Sequence, residues 1–204
     1  GLGFLLEGDA EEPVNNKKNE HPIEPPNQVG YPSLMSPHSN PTALLNSHLF
    51  VANTPSDTVD VINTKTGKII KRISVGVDPV SICIRPDGKE VWVSNHVSDS
   101  VSVIDNNEDN PTYLEVIHTI QELDLETKTT NFDEPVGIAF ANNKKAYVAL
   151  SSENKIAVID VRTRKITKRL TINAQDPRAI TVKNGKLYVI PFESNNKTQL
   201  SGGY

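Results

Sequence analysis

Cysteine is almost missing from this sequence, which has one cysteine and one tryptophan among its 204 residues. With Cys83 alone, these residues cannot form an internal disulfide, a paired-cysteine zinc site or a CxxCH haem-attachment motif. Cys83 stands between two isoleucines in VSICIRP, a setting typical of a small buried hydrophobe rather than a reactive thiolate. Cysteine chemistry is therefore not expected here.

Long apolar runs and a large excess of one charge are also missing. The first apolar run, GLGFLL, is far shorter than the roughly 20 residues that a transmembrane helix needs. Its passage through small residues into an acidic segment resembles the end of a secretion signal. The net charge is −4 and the pI is near 5.7, so no nucleic-acid or anionic-membrane partner is expected. Neither GxSxG, HExxH, a Walker loop nor a dinucleotide fingerprint occurs.

Proline is abundant in one part of the chain only. Seven of the 14 prolines fall within residues 1–41, where apolar residues are few. Proline lacks an N–H group and forces its predecessor out of the helical region, so neither a long helix nor a central strand fits. Residues 1–40 are predicted to be an extended or disordered leader.

The remainder of the chain repeats itself. LFVANTPSDTVDVIN, from Leu49, aligns without a gap with VWVSNHVSDSVSVID, from Val91, and two further copies begin at Ala146 and Leu187. An aromatic anchor recurs as Phe50, Trp92, Tyr147 and Tyr188, at spacings of 42, 55 and 41 residues. The second unit therefore carries an insertion of about 13 residues in a repeat of about 42.

Each unit contains four short strand-like segments rich in β-branched residues and separated by turn residues. Four strands at this period are typical of a β-propeller blade, and no helix-period stretch of useful length occurs. The predicted fold is an all-β partial propeller of about three and a half blades with four-stranded antiparallel sheets. The predicted blades are 41–76, 77–132 with the insertion, 133–174 and an incomplete 175–204. The basic segments KIIKRI and RTRKITKRL coincide with predicted outer strands, where Lys and Arg discourage pairing with other chains.

The segments FVAN at Phe50 and WVSN at Trp92, with VGVDPVSICIRPDGKE before the second and SVSVID after it, resemble the YVTN-type β-propeller repeat family. The resemblance implies a closed propeller, most often of seven blades. It also implies a bacterial secreted or periplasmic protein, and some similar propellers are fused to c-type haem domains. Because no CxxCH occurs here, haem c is expected only in a domain downstream of this segment.

In a propeller blade the loops between strands two and three share a face with the loops that lead to the next blade, and we call it the upper face. Function in propellers usually lies on such loops. The candidate binding residues on this face are Asn53, Asn95, His96, Asp78, Asp133, Glu134, Asp176 and Arg178. His96 corresponds to Thr54 and Ser151 in other copies, which favours a polar loop residue over a metal ligand or base. The recurring carboxylates before Pro79, Pro135 and Pro177 have two interpretations: Asx turns, or a ring of oxygens that binds Ca²⁺.

The expected function is a non-catalytic binding or scaffold module of a larger extracytoplasmic protein, with a protein partner or a fused domain. One alternative is a propeller enzyme of the lactonase or quinoprotein kind with its site on the upper face. The other is a structural cell-surface protein.

Overall fold

The computed structural model describes residues 4–6, 40–173 and 175–193. The leader predicted for residues 1–40 therefore lies almost wholly outside the described residues. Its one described segment is a short strand, β1 (Phe4–Leu6).

Three four-stranded antiparallel sheets follow one another along the chain, each with its strands in sequence order. The first blade contains β2 (Thr42–Leu45), β3 (His48–Asn53), β4 (Thr58–Asn63) and β5 (Lys68–Ser74); the second contains β6 (Pro79–Ile84), β7 (Glu90–Asn95), β8 (Ser100–Asp105) and β9 (Val116–Ile120). After an inserted hairpin, β10 (Leu123–Asp124) and β11 (Thr129–Thr130), the third blade contains β12 (Pro135–Phe140), β13 (Lys145–Leu150), β14 (Lys155–Asp160) and β15 (Lys165–Thr171). The predicted all-β fold with four-stranded antiparallel blades is confirmed.

The fourth sheet begins with β16 (Gln175–Lys183) and β17 (Lys186–Glu193), and β1 is its third strand. β1 runs antiparallel to β17, with Phe4 opposite Val189 and Leu6 opposite Leu187. The sequence did not predict this strand, since residues 1–40 were assigned to the leader. A three-residue β-rich segment carries too little pattern to be recognised alone, and its pairing with β17 joins residues far apart in the sequence.

The repeat is visible in the details of strand pairing. In each complete blade the register between the third and fourth strands shifts at one place: Val61/Ile62, Val103/Ile104 and Val158/Ile159. A bulge at the same position in three sheets bends each outer strand in the same way. The blades are therefore copies of one another in backbone as well as in sequence.

Hydrophobic cores lie between neighbouring sheets, as expected for the aromatic anchors. Phe50 is fully buried against Ile82, Val91 and Val93 of the second blade. Trp92 is fully buried in the core shared with the third blade, and its ring meets Phe140 edge-on with centroids 4.9 Å apart. Tyr147 packs partly buried against the core shared with β16 and β17. Tyr188, on the last described strand, is 36% exposed.

Candidate functional site

The upper face is built from turns that repeat an unusual backbone conformation. Each turn between the second and third strands ends in a residue with a left-handed φ, and so does each segment that enters the next blade. The pairs are Asp57 (φ 56°) with Asp78 (φ 63°), Asp99 (φ 50°) with Glu134 (φ 49°), and Asn154 (φ 51°) with Asp176 (φ 53°). Asp and Asn tolerate this region better than most residues, which explains the residue types at nearly all of these positions.

One hydrogen bond joins the members of each pair and clamps neighbouring blades together. The backbone N–H of Asp78 donates to Oδ1 of Asp57 at 2.9 Å. The N–H groups of Glu134 and Asp176 donate in the same way to Asp99 and Asn154, also at 2.9 Å. We call these three bonds the interblade clamps. The residues before the prolines thus enter the clamps through their backbones, and the accepting side chains belong to the preceding turn.

Sequence reasoning did not identify the clamp acceptors Asp57, Asp99 and Asn154 as such. Their signal was present, because Asp, Asp and Asn occupy the same register position in three aligned copies. The predicted Asx turns placed the acceptor on the wrong partner: the carboxylates before the prolines were expected to accept backbone N–H bonds.

Two of the predicted binding residues on β3 and β7 are placed differently. Asn95 is fully buried, and its Nδ2 donates to Ser100 Oγ at 3.1 Å and Ser102 Oγ at 3.0 Å. Gly76 packs so closely on it that an added Cβ would lie 2.6 Å from the Asn95 amide. Asn53 is half-buried at the end of β3. Asn95 therefore stabilises the second blade from within instead of presenting its amide at the surface.

His96 lies between the second and third blades. Its backbone N–H donates to the Asp78 carbonyl at 2.9 Å, as Ser151 does to the Glu134 carbonyl at 3.1 Å. The His96 ring is 23% exposed, its Nε2 is 4.0 Å from Glu134 Oε2, and its Nδ1 has no hydrogen-bond partner among the described residues. The backbone role is common to the repeat, while the ring adds one contact to a carboxylate.

The remaining candidates divide into two charge environments. Arg178 donates to Asp176 Oδ2 from Nε at 3.0 Å and from a terminal nitrogen at 2.9 Å, so charge is balanced beside the fourth sheet. Between the second and third blades, Asp133 accepts a bond from Ser152 at 2.6 Å and Glu134 one from Ser151 at 3.1 Å. Those hydroxyls are neutral, so this side of the upper face stays acidic.

Asp99 shows the effect of this acidity. Partial burial raises its pKa, and the nearby carboxylates of Asp133 and Glu134 raise it further, while the N–H of Glu134 partly offsets them. The three carboxylates Asp99, Asp133 and Glu134 form what we call the acidic edge. Across residues 40–173 and 175–191, no group of three or more His, Cys, Asp and Glu side chains has the arrangement of a metal site.

A buried charged cluster lies on the opposite face, and sequence reasoning missed it. The Glu90 carboxylate accepts bonds from a terminal nitrogen of Arg164 at 2.7 Å and from Trp92 Nε1 at 2.9 Å, and Arg85 lies 3.1 Å away. Arg164 belongs to the third blade and has φ 56°, where the first blade has Gly67 with φ 69°. Because Glu90 and Arg164 are 74 residues apart, no local pattern indicates the pair.

The comparisons with known proteins agree with the geometry. A family model described as YNCE-like β-propeller matches residues 32–124, which include the first two blades. No curated protein matches the chain. The described residues contain no helix long and apolar enough to span a membrane.

Solved structures extend the likeness to the other blades. A chain of the Kuenenia stuttgartiensis hydrazine synthase is 28% identical, with a TM-score of 0.60 over 76% of this chain. The β-propeller domain of Myceliophteria thermophila Cps50 (Swd1) is 14% identical (TM-score 0.53, 70% of this chain and 47% of that chain), and apo AztD from Citrobacter koseri is 18% identical (TM-score 0.51, 76% and 37%). The chain spans 40% of the length of the hydrazine synthase chain. These residues form part of a β-propeller.

Proposed function

We propose that this chain is a non-catalytic β-propeller module that binds a partner protein through the acidic edge of its upper face. The acidic edge is the observation that carries the proposal. Three carboxylates are held together, one of them with a raised pKa, and the two serines that they contact are neutral. Keeping like charges close is unfavourable in the free protein, and a cationic side chain of a partner would relieve it.

The surroundings of the edge favour binding over catalysis. The His96 ring is hydrogen-bonded to no hydroxyl or thiol among the described residues, whereas a general base needs a partner within such reach. The interblade clamp between Asp99 and Glu134 fixes the backbone of two of the three acidic residues. A rigid and charged surface loses little conformational entropy when a partner binds.

The larger setting that we propose is an extracytoplasmic protein, as the YVTN-type resemblance implies. The 28% identity to a hydrazine synthase chain favours a module within an enzyme assembly. If that assembly contains haem c, the haem must be attached outside these residues. Cys83 is the one cysteine and is buried, so it offers no thioether link.

The test is the triple variant D133N/E134Q/D176N, with E108Q/D109N/E115Q on the opposite face as the matched control. The clamp acceptors are untouched, so we expect both variants to melt like the wild type in circular dichroism. Each chain is immobilised, exposed to a periplasmic or secreted extract of its source, and probed by cross-linking mass spectrometry. We expect the wild type and the control to retain a protein whose affinity falls at least about tenfold in the triple variant, since several charge contacts are lost.

Three results would contradict the proposal. An affinity unchanged in the triple variant would place the partner site elsewhere. Ca²⁺ binding in calorimetry that is lost in the triple variant would assign the carboxylates to the ion. Lactone hydrolysis that is lost in His96→Ala would make the upper face an active site.

A further inference from the structure

The inserted hairpin differs from everything else in the repeat. Residues 121–134, which contain β10 and β11, carry five carboxylates and one lysine. At its tip Leu123 is 56% and Leu125 is 80% exposed, although leucines usually find cover in a folded chain. No counterpart of the hairpin occurs between the first and second blades, so the propeller repeat does not require it.

The hairpin is held firmly to the body of the protein. Phe132 at its base is fully buried in the core between the second and third blades. Glu122 pairs with Arg169 of β15, and Arg169 Nε donates to the Asn131 carbonyl at 3.1 Å. The Asp124 carboxylate accepts the N–H groups of Glu126 at 2.9 Å and Thr127 at 3.1 Å, and these bonds lower its pKa. The apolar tip is therefore presented on a fixed, negatively charged support.

A complementary segment lies on the first blade of the same chain. Strand β5 has the sequence KIIKRIS, and Ile69 is 52% and Ile70 is 45% exposed. Lys68 and Lys71 are also exposed and form no ion pair with described residues, while Arg72 is bound by Asp60 at 2.7 Å. Acidic and leucine residues alternate in ELDLE of the hairpin, and β5 offers lysine and isoleucine.

Comparison with β15 shows that this chemistry is particular to β5. The two strands align residue for residue as KIIKRIS and KITKRLT, with Thr167 in the place of Ile70. In β15 the isoleucine Ile166 is half-buried against the core and Arg169 is already engaged by Glu122. A threonine therefore satisfies the fold at this position, and packing within the blade does not account for the exposed Ile70.

Both elements also have free backbone edges. β5 is hydrogen-bonded to β4 alone, and β10 and β11 pair with each other and with no other described strand. Lysine on an outer strand repels the same strand of another molecule, which prevents pairing of β5 with β5. It does not repel an acidic edge, and strand addition at an edge gives main-chain hydrogen bonds as well as side-chain contacts.

We propose that a second copy of this chain binds at the hairpin, with the β10–β11 hairpin of one molecule against strand β5 of the next. The contact is heterologous, so each molecule has one donor and one acceptor surface and association continues from copy to copy. The surface is small compared with a standard interface of about 800 Å² per partner, so the association is expected to be reversible.

A charge-swap experiment on the full chain tests the contact by sedimentation equilibrium. The hairpin variant is D124N/E126K, which keeps an acceptor in the turn, and the strand variant is K68E/K71E. We expect the average mass of the wild type to rise between micromolar and near-millimolar concentration. Each variant alone should associate at least about tenfold more weakly, because attraction becomes repulsion. An equimolar mixture of the two variants should regain association, since opposite charges meet again.

Matched controls separate the contact from general effects of charge. K165E/K168E makes the same change on β15 and D109N/E115K makes it in the β8–β9 loop, and both should associate like the wild type. Ile70→Thr, the residue that β15 carries, should weaken association without lowering the melting temperature. A wild type that stays monomeric, variants that associate like the wild type, or a mixture that stays monomeric would each overturn the proposal. None of these results depends on the partner proposed for the acidic edge.

Discussion

Replacing Trp92 by alanine should remove the largest buried side chain of the structure from the core between the second and third blades. A tryptophan ring buries roughly 150–250 Å², which at about 25 cal/mol per Å² corresponds to an upper value of about 4–6 kcal/mol. Large-to-small core substitutions of aromatic residues lose about 3–5 kcal/mol, and Trp92→Ala should fall in that range. The surrounding β-sheets cannot collapse into the space, because the clamps on the upper face hold the blades apart at a fixed distance.

The hydrogen bond of Trp92 contributes a separate part of this loss. Its Nε1 donates to Glu90 at 2.9 Å, and Glu90 is 6% exposed. Trp92→Phe keeps much of the ring but removes this donor, so it should lose about 1–3 kcal/mol from the weakened support of a buried carboxylate. Glu90 stays paired with Arg164, which limits the effect.

Urea unfolding followed by far-UV circular dichroism measures both variants. Because Trp92 is the only tryptophan, fluorescence of the wild type reports on this core alone and should coincide with the dichroism transition. A loss below about 1 kcal/mol for Trp92→Ala would mean that the ring is not buried and that the register of β7 is wrong.

Three further predictions follow from single contacts. Gly137→Ala should lose about 1–3 kcal/mol, since the new Cβ would lie 2.2 Å from the Arg178 carbonyl oxygen, and an unchanged urea midpoint would refute that approach. Burial raises the pKa of Cys83 to about 12, so the native thiol should resist Ellman's reagent at about pH 8 and react once unfolded; rapid native labelling would contradict this. Asp99→Asn should gain up to about 1 kcal/mol at neutral pH, with Asp57→Asn as control, because the raised pKa makes the charged form unfavourable in the fold. That gain should disappear as the pH falls through the pKa of Asp99, and a gain independent of pH would exclude charge as its cause.

The blades were predictable because the information for each lies in about 42 consecutive residues. Alternating β-branched residues define the strands, and Pro79, Pro135 and Pro177 mark where the inner strands begin. Four copies in register reinforced one another, so that a weak pattern in one copy was supported by the same pattern in the next. The repeat likewise placed the insertion within the second unit.

The clamps were only partly predictable. The repeat indicated that carboxylates recur around the inter-blade prolines, but which atom accepts depends on backbone conformation. Asp57 and Asp78 both have left-handed φ values, and only their relative placement makes one the acceptor and the other the donor. Asn95 shows the same limit, since an asparagine at the end of a strand looks like a surface ligand in sequence and is buried in the fold.

Positions that agree between copies and positions that differ answer different questions in this chain. The clamp acceptors, the bulges and the aromatic anchors agree, and each has a structural role that a propeller needs. The differences are of another kind: Arg164 replaces the more permissive Gly67, Ile70 replaces Thr167, and residues 121–134 have no counterpart. Arg164 in the left-handed region is disfavoured by roughly 1–3 kcal/mol, and its bond to Glu90 offsets that strain by joining two blades. Ile70 and the hairpin offset nothing within the described residues, and apolar exposure that the fold does not use is best explained by contact with another molecule.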